Sequence, residues 1–171
     1  MLIGRGWPEG EAQHLLTAIA RATDAALRCY EDARLRLERA AQEHAVIGYL
    51  HGCEDMAIAF IALHRAMRLA DALVASLETT VDESHLPPEN GRSRLRRMRN
   101  AIDHRDKPIK RGDAGIGKTL ALNVREHDST IDDDEGTLTL THVELGDSIR
   151  RLHSLVVDLT NHPEQWTRVA R

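Results

Sequence analysis

The run EAQHLLTAIARATDAALRCYEDARLRLERAAQEH, Glu11 to His44, decides the fold class. Its apolar side chains Ala12, Leu15, Leu16, Ile19, Ala22, Ala26, Leu27, Tyr30, Ala33 and Leu37 recur at three and four residues, the period of one helical face. A long amphipathic helix follows from that spacing. Gly48 and Gly52 suggest a bend between Ala45 and His51. Met56, Ala57, Phe60, Ile61, Leu63, Met67, Ala70, Val74 and Leu77 then continue the pattern in a second helix, apolar enough to be central.

Outward from these two helices, Thr79 to Gly91 carries Pro87-Pro88 and Asn90-Gly91 and reads as a connecting loop, because proline removes a donor and restricts the residue before it. A third helix is expected from about Arg92 to Asp106, with Leu95, Met98 and Ile102 on one side and Pro108 as its stop. The runs Thr119 to Val124 and Thr137 to Thr141 alternate like strands and suggest a β-hairpin, with Glu126 to Gly136 as a solvated tip. Thr141-His-Val-Glu144 has capping-box spacing, and Ile149, Leu152, Leu155, Val156 and Leu159 form the stripe of a last helix ended by Asn161-His-Pro. The expectation is a mainly α protein: one domain over 1–171, with a small β-hairpin insertion at 119–143 before the last helix.

Composition agrees with that class. A chain of 171 residues can bury a core without staples, and aromatics at 3% suit aliphatic helix packing better than stacked sheets. The first residues lack a leader's apolar core, and no stretch reaches about 18 consecutive apolar residues, so the reading is cytoplasmic with no membrane association. Cys29 and Cys53 lie inside helical patterns and read as buried thiols rather than a disulfide framework. Net charge of −4 and a pI near 6.2 announce no global nucleic-acid binder, so any such function must be local.

One local excess stands out. Arg92, Arg94, Arg96, Arg97, Arg99, Arg105, Lys107, Lys110 and Arg111 crowd a segment whose only carboxylates are Asp103 and Asp106. Such a helix could neutralise RNA phosphates, or it could be a solvated face paired with acidic neighbours such as Glu83, Glu89 or Asp132 to Glu135. At about 100° per residue, Leu95, Met98 and Ile102 occupy one sector, while Asn100 and His104 fall together opposite it. Arg96 precedes Asn100 by one turn, and Arg99 and Asp103 lie between the two sectors. That set suits cleavage of RNA by its own 2′-hydroxyl: a histidine exchanges the proton and an arginine steadies the phosphorane, with no metal or other cofactor required. One copy offers one such histidine, so a two-fold homodimer would furnish both acid and base.

Arg99-Asn100-Ala101-Ile102-Asp103-His104 resembles the R-x4-H motif, with a polar residue after the arginine, of the HEPN superfamily of helical ribonucleases. The resemblance implies an up-and-down bundle of four or five helices that dimerises so that both motifs face one cleft. It also implies metal-independent endoribonuclease activity, in roles such as toxins of toxin–antitoxin pairs and defence proteins, with an antitoxin or other regulatory protein as a partner. On that reading Arg99, Asn100 and His104 are catalytic, and Arg96, Arg97, Asp103 and Lys107 serve RNA binding. The hairpin and the density of arginines before the motif depart from the family pattern. A non-catalytic helical module that binds RNA or protein is the alternative.

Gly112-Asp-Ala-Gly-Ile-Gly117-Lys118-Thr119 satisfies the phosphate-binding G-x4-G-K-[ST] pattern, which makes a nucleotide-binding protein a third reading. A working loop of this kind follows a buried strand and opens a helix, whereas the residues after it here alternate like a strand. Leu155-Val-Val-Asp158 resembles the acidic strand of such proteins but fits the last helix equally well. His51 with Glu54 and Asp55, and His64 with Asp71, lack metal-ligand spacing, and no metal is assigned. Glu54 or Asp55 could instead orient His104 or Arg99. Trp7 and Trp166 read as cover for the core or a partner surface.

Overall fold

A computed structural model describes residues 10–77, 85–103, 123–125, 128–133, 136–139 and 141–162. Among them are four helices: α1 (Glu11–Glu43), α2 (Val46–Leu77), α3 (Glu89–Asp103) and α4 (His142–Asn161). The protein is mainly helical, and its core is the seam where α1 and α2 pack along their lengths with α3 and α4 laid against them.

The first seam follows from the sequence period. Leu16, Ile19, Ala26, Tyr30, Ala33 and Leu37 of α1 are buried against Met56, Phe60, Leu63, Met67, Ala70 and Leu73 of α2. The chain reverses at His44, which takes a left-handed φ of 51°, and the Ala45 N–H donates to the Ala40 carbonyl at 3.0 Å. That places the turn one helical turn earlier than Gly48 and Gly52 suggest. Both glycines lie inside α2, and Gly52 serves close approach rather than bending: a methyl group there would come 2.7 Å from Leu37 Cγ.

α2 is apolar around most of its circumference. Its stretch Val46–Ala75 is long and apolar enough to cross a membrane by length and composition, and is the one such helix among the described residues. Here one side forms the core, while Val46, Ile47, Leu50, Ile58 and Ile61 are exposed.

The α3 helix begins at Glu89, a turn earlier than the proline signal suggests. Pro88 lies before the first turn, where a missing N–H costs nothing, and its carbonyl accepts the Arg92 N–H at 2.9 Å. α4 starts as its sequence indicates. The Thr141 hydroxyl accepts the Glu144 N–H at 3.1 Å, and the Thr141 N–H donates to Glu144 Oε2 at 3.0 Å, so both halves of the capping box are made. Leu145, Ile149, Leu152, Leu155 and Leu159 bury the inner face of α4, and Gly146 lets it settle on the buried Tyr30, whose Oη would lie 2.6 Å from an added methyl.

Between α3 and α4 the structure departs from a two-stranded hairpin. Among the described residues, three antiparallel strands, β1 (Asn123–Arg125), β2 (Asp128–Asp133) and β3 (Gly136–Thr139), form a sheet in the order β1-β2-β3. β2, with Thr130 opposite both Asn123 and Thr139, runs through the acidic stretch expected to be a tip. The described parts of the flanking runs, Asn123-Val124 and Thr137 to Thr139, pair with that stretch. Residues 119–122, the start of the expected first strand, lie outside the described residues.

Candidate nucleic-acid interface

The arginine-rich helix α3 is held by its apolar sector. Leu95, Met98 and Ile102 are 1%, 0% and 8% exposed, which turns the opposite sector outward. The basic residues of α3 then divide into two sets with different work.

Arg92 and Arg94 anchor the helix. Arg92 Nη1 meets Asp71 Oδ1 of α2 at 3.3 Å, and its Nη2 meets Glu89 Oε2 at 3.3 Å. Arg94 Nη2 donates to Glu144 Oε1 of α4 at 2.9 Å. Glu144 thus caps α4 and receives α3 at once. Burial works against its charge, but the Thr141 N–H, the Arg94 guanidinium and the Thr141 hydroxyl outweigh it and hold the carboxyl below its usual range. The sequence marks Glu144 only as a cap, and Asp71 only beside His64; their roles as anchors depend on which helices meet.

Arg96, Arg97 and Asn100 are exposed, and Arg99 is half-buried. Arg99 Nη1 donates to Asn100 Oδ1 at 3.2 Å, so the first two residues of the motif touch. A guanidinium hydrogen-bonded to the neighbouring amide is held beside it on the helix. Asp103 closes the described part of α3. His104, Lys107 and the glycine-rich run Gly112 to Thr119 lie outside the described residues, as do Trp7 and Trp166.

Other candidates take structural positions. Asp55 turns to α1, where Arg36 Nε lies 3.2 Å from its Oδ2, so this carboxylate is committed away from the motif helix. Leu155-Val-Val-Asp158 lies in α4 rather than a strand, with Leu155 buried and Asp158 Oδ2 3.0 Å from His85 Nε2. It is not the acidic strand of a nucleotide-binding fold. Among the described residues no group of three His, Cys, Asp or Glu side chains is placed to share a metal ion. Cys29 and Cys53 are half-buried thiols that form no disulfide among the described residues. Burial, then Asp55 and Asp32, push the Cys29 thiol up against a smaller opposing pull from Arg28, away from a reactive thiolate. A shallow cleft lined by Arg36, Arg39, Glu43, Gly48 and His51 lies at the α1–α2 turn and takes no residue from α3.

The arrangement defines a mainly helical protein with one helix that is anchored on its inner side and cationic on its outer side. Comparison of the chain with family models, curated proteins and solved structures finds no match.

Proposed function

We propose that the protein is a metal-independent endoribonuclease of the HEPN type, acting in the cytosol as a toxin or defence protein, with its α-helices and the short strands before α4 forming a variant of that bundle. The observation that carries the reading is the division of labour on α3. Arg92 and Arg94 tie the helix to Asp71 and Glu144, while the exposed Arg96 and Arg97 and the hydrogen-bonded pair Arg99–Asn100 follow in the motif order. In the proposed reaction a histidine, His104, takes the proton of an RNA 2′-hydroxyl. The 2′-oxygen attacks phosphorus, the bond to the 5′-oxygen breaks, and that oxygen leaves with a proton supplied by a second acid. A 2′,3′-cyclic phosphate and a 5′-hydroxyl result. Arg99 balances the charge that builds on the phosphorane, and Asn100 orients Arg99.

The second acid is the His104 of a second copy in a two-fold dimer. Ile58 and Ile61, exposed at 42% and 40% on α2, supply apolar surface suited to such a pairing.

The test is RNA cleavage in excess EDTA by wild type, Arg99→Ala and His104→Ala at matched thermal stability. Cutting by wild type and loss in both variants is expected. Wild-type rates in His104→Ala would overturn the assignment, and absence of cutting with retained RNA binding would leave a non-catalytic binding module. That second reading draws on the same exposed arginines, which bind phosphate whether or not chemistry follows.

A further inference from the structure

The contact between Arg92 and Asp71 fixes where α2 and α3 meet, and the residues one turn away on each helix must flank it. On α3 that residue is Arg96, four positions after Arg92, with Arg99 beyond. On α2 it is Arg68, three positions before Asp71, with Arg65 a further turn along. Successive members of this line lie about 5–6 Å apart at their Cβ atoms within each helix, a step comparable to that between phosphates of an extended strand.

Three of the charges on this line meet no carboxylate among the described residues. Arg28, Arg34, Arg36, Arg92, Arg94 and Arg150 each meet a carboxylate. Arg65, Arg68 and Arg96 are exposed and make no ion pair among the described residues. On an acidic protein, arginines that meet no carboxylate among the described residues and gather beside one helix contact form a local positive field.

We infer that Arg65 and Arg68 of α2 belong to the phosphate-binding surface of α3, so that single-stranded RNA crosses the α2–α3 contact on its way to Arg99 and Asn100. The inference rests on the RNA reading above and extends it to a helix outside the motif. α2 then supplies phosphate contacts upstream or downstream of the cut, and α3 supplies those at it. Because such contacts address the backbone, they set affinity and register without reading base sequence.

The experiment measures binding of a fluorescent 2′-O-methyl oligoribonucleotide, which lacks the attacking hydroxyl and cannot be cut, across a salt series. The proteins are full-length wild type, Arg65→Gln/Arg68→Gln, Arg65→Lys/Arg68→Lys, and, as a control, Arg28→Gln at an α1 arginine paired with Asp24, each checked by thermal melting. Each lost phosphate contact lowers the slope of log affinity against log salt by about 0.7, so the double glutamine variant should lose about 1.4 in slope. The lysine variant and the control should keep the wild-type slope. Salt-dependent binding by wild type with an unchanged slope in the glutamine variant overturns the role of α2 and leaves the α3 reading standing. No salt-dependent binding by wild type overturns both.

Discussion

Replacing Gly52 by alanine tests the seam on which α3 is carried. The added methyl would lie 2.7 Å from Leu37 Cγ and 2.8 Å from Leu37 Cδ2, with the Ala33 carbonyl oxygen at 3.4 Å. Leu37 cannot swing clear, because the nearest atom is its branch carbon and the side chain is buried at 5% exposure. Overpacking of this kind costs about 1–3 kcal/mol. Against it stands the gain from replacing glycine by alanine inside a helix, about 1 kcal/mol. The net expectation is a loss of about 0–2 kcal/mol, or a fall in Tm of up to about 8 °C for a domain of this size. Leu37→Ala alone should cost about 2–5 kcal/mol through the cavity it leaves. The two changes together exchange a methyl for that cavity, so the double variant should be more stable than the sum of the single losses predicts, by about 1–3 kcal/mol. Urea unfolding of the four proteins followed by helical circular dichroism measures the coupling. A Gly52→Ala protein about 1 kcal/mol more stable than wild type, with an additive double variant, would show that α1 and α2 do not approach closely here and would refute the reasoning.

Thr141→Ala removes the cap of α4 and should cost about 1 kcal/mol in the same assay. The Glu144 carboxyl is held below its ordinary value of 4.5, so its contribution is complete above that pH and lost as pH falls through the lower folded value. Glu144→Gln should therefore flatten the acid limb of stability against pH, and an unchanged limb would remove Glu144 from that role. The buried Thr23 hydroxyl has no hydrogen-bond partner among the described residues, and Thr23→Val should leave stability unchanged or raise it by about 1 kcal/mol; a loss would show that the hydroxyl is hydrogen-bonded. Arg96→Ala should change stability by less than about 0.5 kcal/mol while weakening RNA binding, whereas a comparable loss of stability would place Arg96 among the anchors. Ile58→Lys with Ile61→Lys should shift a dimer toward monomer in analytical ultracentrifugation, and an undisturbed dimer would put the interface elsewhere.

Local chemistry alone was enough for the helices and for the inner face of α3. Apolar residues at three- and four-residue spacing must share a face wherever the helix is placed, which is why Leu95, Met98 and Ile102 could be named as one buried sector from their positions. The same holds for Thr141 and Glu144, whose capping box needs only a turn of backbone. Proline gave less: Pro88 excludes an interior helical position but not the residue before a first turn, so α3 begins earlier than the loop signal implies.

Tertiary structure decided what spacing leaves open. Glycine in a helical pattern can mark a bend or a close approach, and only the presence of Leu37 across the seam makes Gly52 the second. The acidic stretch 128–133 looks like a solvated tip until strands on both sides pair with it. The arginines of α3 are alike in the sequence, and their division into anchors and outward charges arises because Asp71 and Glu144, 21 and 50 residues away along the chain, are brought to two of them. Periodicity is a property of neighbouring residues and survives any packing. An ion pair between distant helices exists only after the core has chosen which helices touch, so the sequence determined where the positive charge lies and the fold determined that Arg92 and Arg94 tie α3 to its neighbours.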